Sequence, residues 1–198
     1  MWNLHIPMIG ADVYQIIFCF VIYSMGGWLV ESIYMSFCNR KLTNRGFGFL
    51  PFCPIYGFGA VLGHYLLLPF AKSAIAVYLI GAVAATIFEF LVGIVMQRLL
   101  GEVWWDYNEK PFNYKGIICL ESTIAWGAYA LIVVYFLHQR VLGLSLMMNR
   151  FWGIFFCRVV LLLYTIDFIY HLLEALGVNM AKYRESVVER YRRFRERF

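Results

Sequence analysis

The chain has 198 residues, of which 62% are hydrophobic and only 15% charged. A soluble domain is roughly 45–50% apolar and about 25% charged, so this composition excludes a water-soluble globule of ordinary make-up and points to lipid as the surrounding solvent. The net charge of +5 is unevenly placed, with seven of the 17 basic residues (Lys182, Arg184, Arg190, Arg192, Arg193, Arg195 and Arg197) following Asn179; behind hydrophobic spans such a tail suits an anionic inner leaflet, and no nucleic-acid motif accompanies it.

A helix needs about 20 mostly apolar residues to cross the hydrocarbon. Along the chain, the first such segment runs from about Val13 to Phe37. The second, from about Ile55 to Phe70, is short, contains Gly57, Gly59, Gly63 and His64, and meets Pro69, so it is expected to be tilted or broken. The third and fourth run from about Ala74 to Met96 and from about Gly116 to Leu137. Val141–Met148 is apolar but too short to span, and is expected to be an interfacial or re-entrant piece on the outer side. The fifth span runs from about Phe151 to Leu176. Met180–Phe198 spaces Val187, Val188, Tyr191, Phe194 and Phe198 among arginines, as in an amphipathic helix at the inner leaflet or a solvated extension. The expected fold is therefore all-α: a polytopic membrane helix bundle of about five transmembrane helices at 1–178, with a structured non-helical first cytoplasmic connection, and a basic cytoplasmic amphipathic tail at 179–198.

Lys and Arg in the connections set the orientation. One side holds Arg40, Lys41, Arg45, Arg98, Lys110, Lys115 and the tail; the other holds only Lys72, Arg140 and Arg150. The N-terminus is expected outside and the C-terminus in the cytoplasm. Arg158 lies inside the fifth span, free to snorkel outward or pair with a carboxylate. The five cysteines, Cys19, Cys38, Cys53, Cys119 and Cys157, form no C-x-x-C pair and read as reduced apolar packers.

Glu31, Glu89, Glu121, Asp167 and Glu174 fall within predicted spans, where acidic groups are costly and usually face a bundle interior or a cavity. Counting from the cytoplasmic ends, the first four lie roughly 8–14 Å below the inner surface. Such a layer can bind a cation, relay protons or act as acid and base; equally, each carboxylate can simply tie helices together. Asp167, His171 and Glu174 share one helix face, as a polar seam or, with a second helix, a metal stripe. His64 reads as a satisfied core or interface histidine. No metal or cofactor is assigned.

Two connections stand out. Residues 39–59 carry glycines at 46, 48, 57 and 59 with Pro51 and Pro54 among apolar residues, which suits non-helical backbone covered by protein, with Arg45 placed to meet Glu31 or an anion. Residues 101–116 interleave Trp104, Trp105, Tyr107 and Tyr114 with Asp106, Asn108 and Asn113. Aromatic anchoring at the headgroups explains part of this, and recognition of a polar headgroup or cation is the other reading.

At these segments the chain resembles a known family. Tyr23-Ser24, Gly27-Trp28 and Glu31-Ser32 open the pattern, followed by Asn44-Arg45-Gly46-Phe47 and Pro51-x-Cys53-Pro54-Ile55-Tyr56-Gly57-Phe58-Gly59. Phe88-Glu89-Phe90, Trp104-Trp105-Asp106-Tyr107, Pro111-Phe112-Asn113, Gly116-x-Ile118-Cys119-Leu120, Ser122 and Trp126-Gly127 complete it. Together these resemble the bacterial family labelled putative ABC-transporter type IV, or putative ABC transporter permease, over roughly residues 14–138. The resemblance implies a permease in the bacterial cytoplasmic membrane and selects Glu31, Arg45, Glu89, Trp105, Asp106 and Asn113 again. The chain has no G-x-x-x-x-G-K-[ST] phosphate loop, so the resemblance implies a separate ATPase on the cytoplasmic face; five spans are few for a lone transporter, which favours a homo-oligomer or a partner.

The leading expectation is a permease-like transport subunit with a cytoplasm-facing polar cavity. Its expected lining is Glu31, Glu89 and Glu121, with Arg45 at the mouth and Trp105, Asp106 and Asn113 beside it. The alternatives are a membrane-embedded enzyme acting on a lipid or lipid-linked substrate, and a structural or regulatory membrane protein.

Overall fold

The fold, taken from a computed structural model, is described for residues 2, 4–6, 10–101 and 103–178. The tail expected at 179–198 lies outside the described residues. Among the described residues, four helices are long and apolar enough to cross a membrane, and a shorter apolar helix accompanies them.

A short antiparallel hairpin, β1 (His5–Ile6) and β2 (Ala11–Asp12), leads into the first helix, α1 (Val13–Asn39). Asp12 starts α1 because its carboxylate accepts the Gln15 amide at 2.9 Å while the Gln15 side chain accepts the Asp12 amide at 2.8 Å, a reciprocal cap that satisfies two otherwise orphaned donors. Helix α2 (Pro54–Leu67) opens on a proline, whose missing N–H costs nothing at a first position. A 3₁₀ turn at Leu68–Phe70 continues it, and together they reach roughly 27 Å, close to the hydrocarbon thickness. The expected break is therefore a tightened last turn around Pro69. Helix α3 (Ala74–Leu100) starts where Ser73 Oγ accepts the Ala76 amide and stops at Gly101, whose φ of 77° is left-handed.

The fourth helix corrects the sequence reading. Leu120–Met147, here α4, is one continuous 28-residue helix, with a π-helical stretch at Val133–Leu137. Val141–Met148 is thus the end of this span and not a separate interfacial piece. The polar run His138-Gln139-Arg140 interrupts the hydropathy without interrupting the backbone. After a two-residue link, α5 (Arg150–Ala175) completes the bundle. The connections 40–53 and 101–119 lie at one end, and the hairpin, residues 71–73 and the α4–α5 link lie at the other.

Helices α1 and α2 pair closely because Gly27 faces the Tyr56 ring; a Cβ there would overlap the ring carbons. The core forms three clusters. Cys19, Tyr23, Ala60, Val61, Val133 and Val141 join α1, α2 and α4. Tyr14, Phe18, Val21, Phe52 and Cys157 join α1, the first connection and α5. Leu67, Val77, Ala130 and Val134 join α2, α3 and α4. Only 11% of the apolar window of α5 is buried inside the protein, so this helix sits at the edge of the bundle. At the hairpin end, Arg150 bonds Asp12 at 2.9 Å, and Arg158 lies over the Trp2 ring at 5.3 Å instead of meeting a carboxylate.

Candidate functional site

The first connection is non-helical, as expected, and its backbone is satisfied locally. Ser36 and Ser32 hydroxyls on α1 accept the Thr43 and Arg45 amides at 2.9 and 3.2 Å. Asn44 accepts from the Trp28 indole at 2.7 Å and from the Gly46 amide at 2.9 Å, and donates to the Gly48 carbonyl at 3.0 Å. From α5, Asp167 accepts the Phe49 and Leu50 amides at 3.2 and 3.1 Å. Gly48 makes this possible, since a Cβ there would collide with the Asp167 carboxylate. Phe52 is buried against Tyr164 at 4.4 Å between ring centroids, and Phe47 stacks on Trp104 at 4.6 Å. The segment is a strap fastened between α1 and α5, with its end at Phe52 and Cys53 buried.

Arg45 leaves this strap to bond Glu31, its Nε and Nη2 both 2.8 Å from Oε1. Tyr56, the third residue of α2, directs its hydroxyl to the same carboxylate. The Cys53 thiol, next to this pair, is pushed up to about 12, mainly by burial and then by the Glu31 charge.

The second long connection is built by its own polar side chains. Asp106 accepts the Asn108 amide at 2.8 Å. Asn113 donates to the Asn108 and Lys110 carbonyls at 3.1 and 2.9 Å and accepts the Gly116 amide at 3.2 Å. Trp105 donates to the Ile117 carbonyl at 2.7 Å. These three candidate residues therefore hold the loop's shape, and the loop's shape delivers Tyr107 to Glu89.

Glu89 is the buried carboxylate of the site, 4% exposed. It accepts from the Tyr107 hydroxyl at 3.2 Å and from the Trp126 indole at 3.0 Å, and the Ser122 hydroxyl lies at 3.2 Å. Burial, followed by the Glu89 charge, raises the Tyr107 phenol above its ordinary value. Glu89 lines a cavity of about 210 Å³ between α2, α3 and α4, whose other walls include Gly59, Gly63, Ala84, Ala85 and Phe88.

The remaining carboxylates do not join it. Glu121 pairs with Lys110 at 2.8 Å on the exterior; it follows Leu120 at the helix start and is turned about 100° away from Ser122. Glu174 is exposed. His171 bonds the Asp167 carbonyl at 2.8 Å, which makes the Asp167–His171 part of the expected stripe a seam holding the strap. Among the described residues, no three His, Cys, Asp or Glu side chains group closely enough to hold a metal ion.

His64 is buried, but its Nδ1 finds no partner among the described residues, unlike the satisfied core or interface histidine expected. Its ring stacks on that of His138 with centroids 3.6 Å apart and planes 11° from parallel. His138 in turn meets the Tyr23 hydroxyl at 3.1 Å. The sequence reading named Tyr107 only among the loop aromatics and in the family pattern, and did not single out His138, which follows directly on the π stretch, a feature common at functional sites.

No curated protein and no solved structure matches the chain. The family model described as Putative ABC-transporter type IV matches residues 18–172, past the stretch expected to carry the resemblance and into α5. On that match, covering most of the chain and every helix named above, the protein belongs to the Putative ABC-transporter type IV family of membrane proteins.

Proposed function

We propose that the chain is the membrane-embedded, permease-like subunit of a transporter, and that the cavity ending at Glu89 is its solute site. The carrying observation is a carboxylate, 4% exposed, at the end of a cavity of about 210 Å³ inside the span region. Ionisable groups within membrane helices are rare, face a bundle interior or a cavity, and mark substrate and ion pathways. Of the carboxylates expected to line a polar chamber, only Glu89 borders this cavity, so the proposed site is narrower and more apolar than the sequence alone implied.

In this reading the end with the two long connections is cytoplasmic, because Arg40, Lys41, Arg45, Arg98, Lys110 and Lys115 gather there. Tyr107, the Glu31–Arg45 pair and Tyr56 separate Glu89 from that end, and part when the site opens to the cytoplasm. Energy comes from a separate ATPase seated on the same end, or a second copy completes the path, since the chain lacks a phosphate loop.

The test is thermal unfolding of the purified protein against a panel of inorganic cations, organic amines, lipids and small polar metabolites, beside Glu89→Gln. A ligand that binds the native state raises the midpoint by mass action. A stabilising ligand whose effect disappears in a folded Glu89→Gln protein supports the reading. A folded variant with no ligand effect lost, across every class, overturns it.

A further inference from the structure

The cavity at Glu89 has two chemically unlike ends. Gly81 and Glu89 both line it, and their spacing on α3 gives it a length of roughly 12 Å. Its volume is about 210 Å³, above the about 150 Å³ of an apolar cavity that accepts benzene. Away from Glu89 the walls are mostly apolar, with Gly59, Gly63, Ala84 and Ala85 leaving the room, and at Gly63 an added Cβ would meet nothing within 4 Å. Leu62 and Leu66 also line it, yet are 58% and 53% exposed, so its rim lies on the lipid-facing side of α2.

At the polar end, Trp126 and Tyr107 donate to Glu89. The single Ser122 proton is divided between Glu89 and the Cys119 carbonyl at 2.9 Å. A carboxylate offers about four lone-pair sites, so at least one has no donor among the described residues. The ion pairs of the described Lys and Arg side chains go to Glu31, Glu121 and Asp12, and none to Glu89. Tyr56 and Trp126 add aromatic faces beside it, with ring centroids 6.2 Å apart.

Resting on the proposed solute site, we infer that its substrate class is a hydrophobic amine, entering from the bilayer between α2 and α3. The apolar body fills the space beside Gly59 and Gly63, and the ammonium takes the open lone pair of Glu89 near the Tyr56 and Trp126 faces. The same ion pair results from either starting state. A charged amine meets a carboxylate directly, or a neutral amine takes the proton of a carboxylic acid, leaving ammonium and carboxylate.

The test measures binding of a phenylbutylamine to the protein in nanodiscs by Trp fluorescence and equilibrium dialysis. Its alcohol and carboxylate analogues and methylammonium serve as comparisons, with Glu89→Gln and Gly63→Leu as variants. Gly63→Leu leaves Glu89 intact and fills the cavity without a Cβ collision; unfolding midpoints verify that both variants fold. The expected result is saturable amine binding, weakened at least tenfold in either variant and at least tenfold weaker for both analogues. Equal binding of the alcohol, or amine uptake unchanged in both variants, overturns the inference. Methylammonium binding that requires Glu89, without phenylbutylamine binding, overturns the substrate class and leaves the solute site standing. Absence of any Glu89-dependent binding overturns both.

Discussion

The Tyr107 hydroxyl donates to Oε1 of Glu89 at 3.2 Å, so a loop residue closes the connection-side end of a buried carboxylate on α3. The native state holds the Tyr107 proton more tightly than the unfolded chain does, through burial first and the Glu89 charge second. Its stabilisation is therefore complete below the unfolded phenol value of about 10 and is lost as pH rises above it. Tyr107→Phe removes a donor from a buried acceptor and should cost about 1–3 kcal/mol at neutral pH. The measurement is thermal unfolding from pH 7 to pH 11: the gap between wild type and variant should narrow at the alkaline end, and a constant gap counts against this account.

Asp167 fastens two strap amides with one carboxylate. Hydrogen bonds to a charged acceptor are the stronger kind, so Asp167→Ala should destabilise by about 3 kcal/mol. The strap should also become the first site of limited proteolysis, between Arg40 and Phe52. Intact kinetics of cleavage in that variant would show that the strap is held by its aromatic contacts instead.

The two ion pairs at the connection end should behave differently. Arg45 and Glu31 side chains are 20% and 22% exposed, and Arg45→Ala leaves a half-buried carboxylate behind, at a cost of about 2 kcal/mol. Arg45→Lys should recover only part of it, since the Nε and Nη2 fork is lost. Lys110 and Glu121 are far more exposed, at 45% and 61%, and Lys110→Ala should leave the unfolding midpoint unchanged. Equal losses in the two alanine variants would remove the distinction.

Thiol chemistry reads both burial and orientation. Cys53 is buried, with its thiol pushed up to about 12, so almost no thiolate forms at pH 8. Cys38, at the end of α1, is exposed. A membrane-impermeant maleimide should label Cys38 alone in permeabilised cells, and should leave it unlabelled in intact cells if this end is cytoplasmic. Labelling of intact cells reverses the orientation; labelling of Cys53 at pH 8 contradicts its burial.

The stacked histidines give an asymmetric pair of substitutions. His64→Phe keeps a stacking ring and removes an Nδ1 that has no partner among the described residues, so it should be neutral or stabilising. His138→Phe strands the Tyr23 hydroxyl and should cost about 1–3 kcal/mol. Thermal unfolding decides, and a larger loss at His64 would mean that its free nitrogen has a ligand.

The spans were legible because hydropathy records lipid exposure: α1, α3 and α5 begin within a residue of where the sequence placed them. Helix α4 was cut short because His138 and Arg140 look like loop residues, while one is buried against Tyr23 and the other bonds back to the Phe136 carbonyl at 3.4 Å. Depth alone put Glu31, Glu89, Glu121 and Asp167 in one layer. Depth carries no information about rotation, and one residue of helical phase separates the outward Glu121 from the inward Ser122. The partners of Glu89 on α4 lie in the family pattern, but Tyr107 reaches it only through a loop held by Asp106 and Asn113, a closure that spacing cannot encode.

The π stretch at Val133–Leu137 has a consequence for how relatives differ. A π turn is an α-helix carrying one residue too many. Deleting a single residue there would restore α geometry and leave His138 to Met147 in phase with the rest of the helix, whereas a deletion in a regular α turn would swing them through about 100°. Members of the family one residue shorter at this point can therefore keep both histidines stacked, so that a gap in an alignment here marks the loss of the bulge and not of the pair on two different helices.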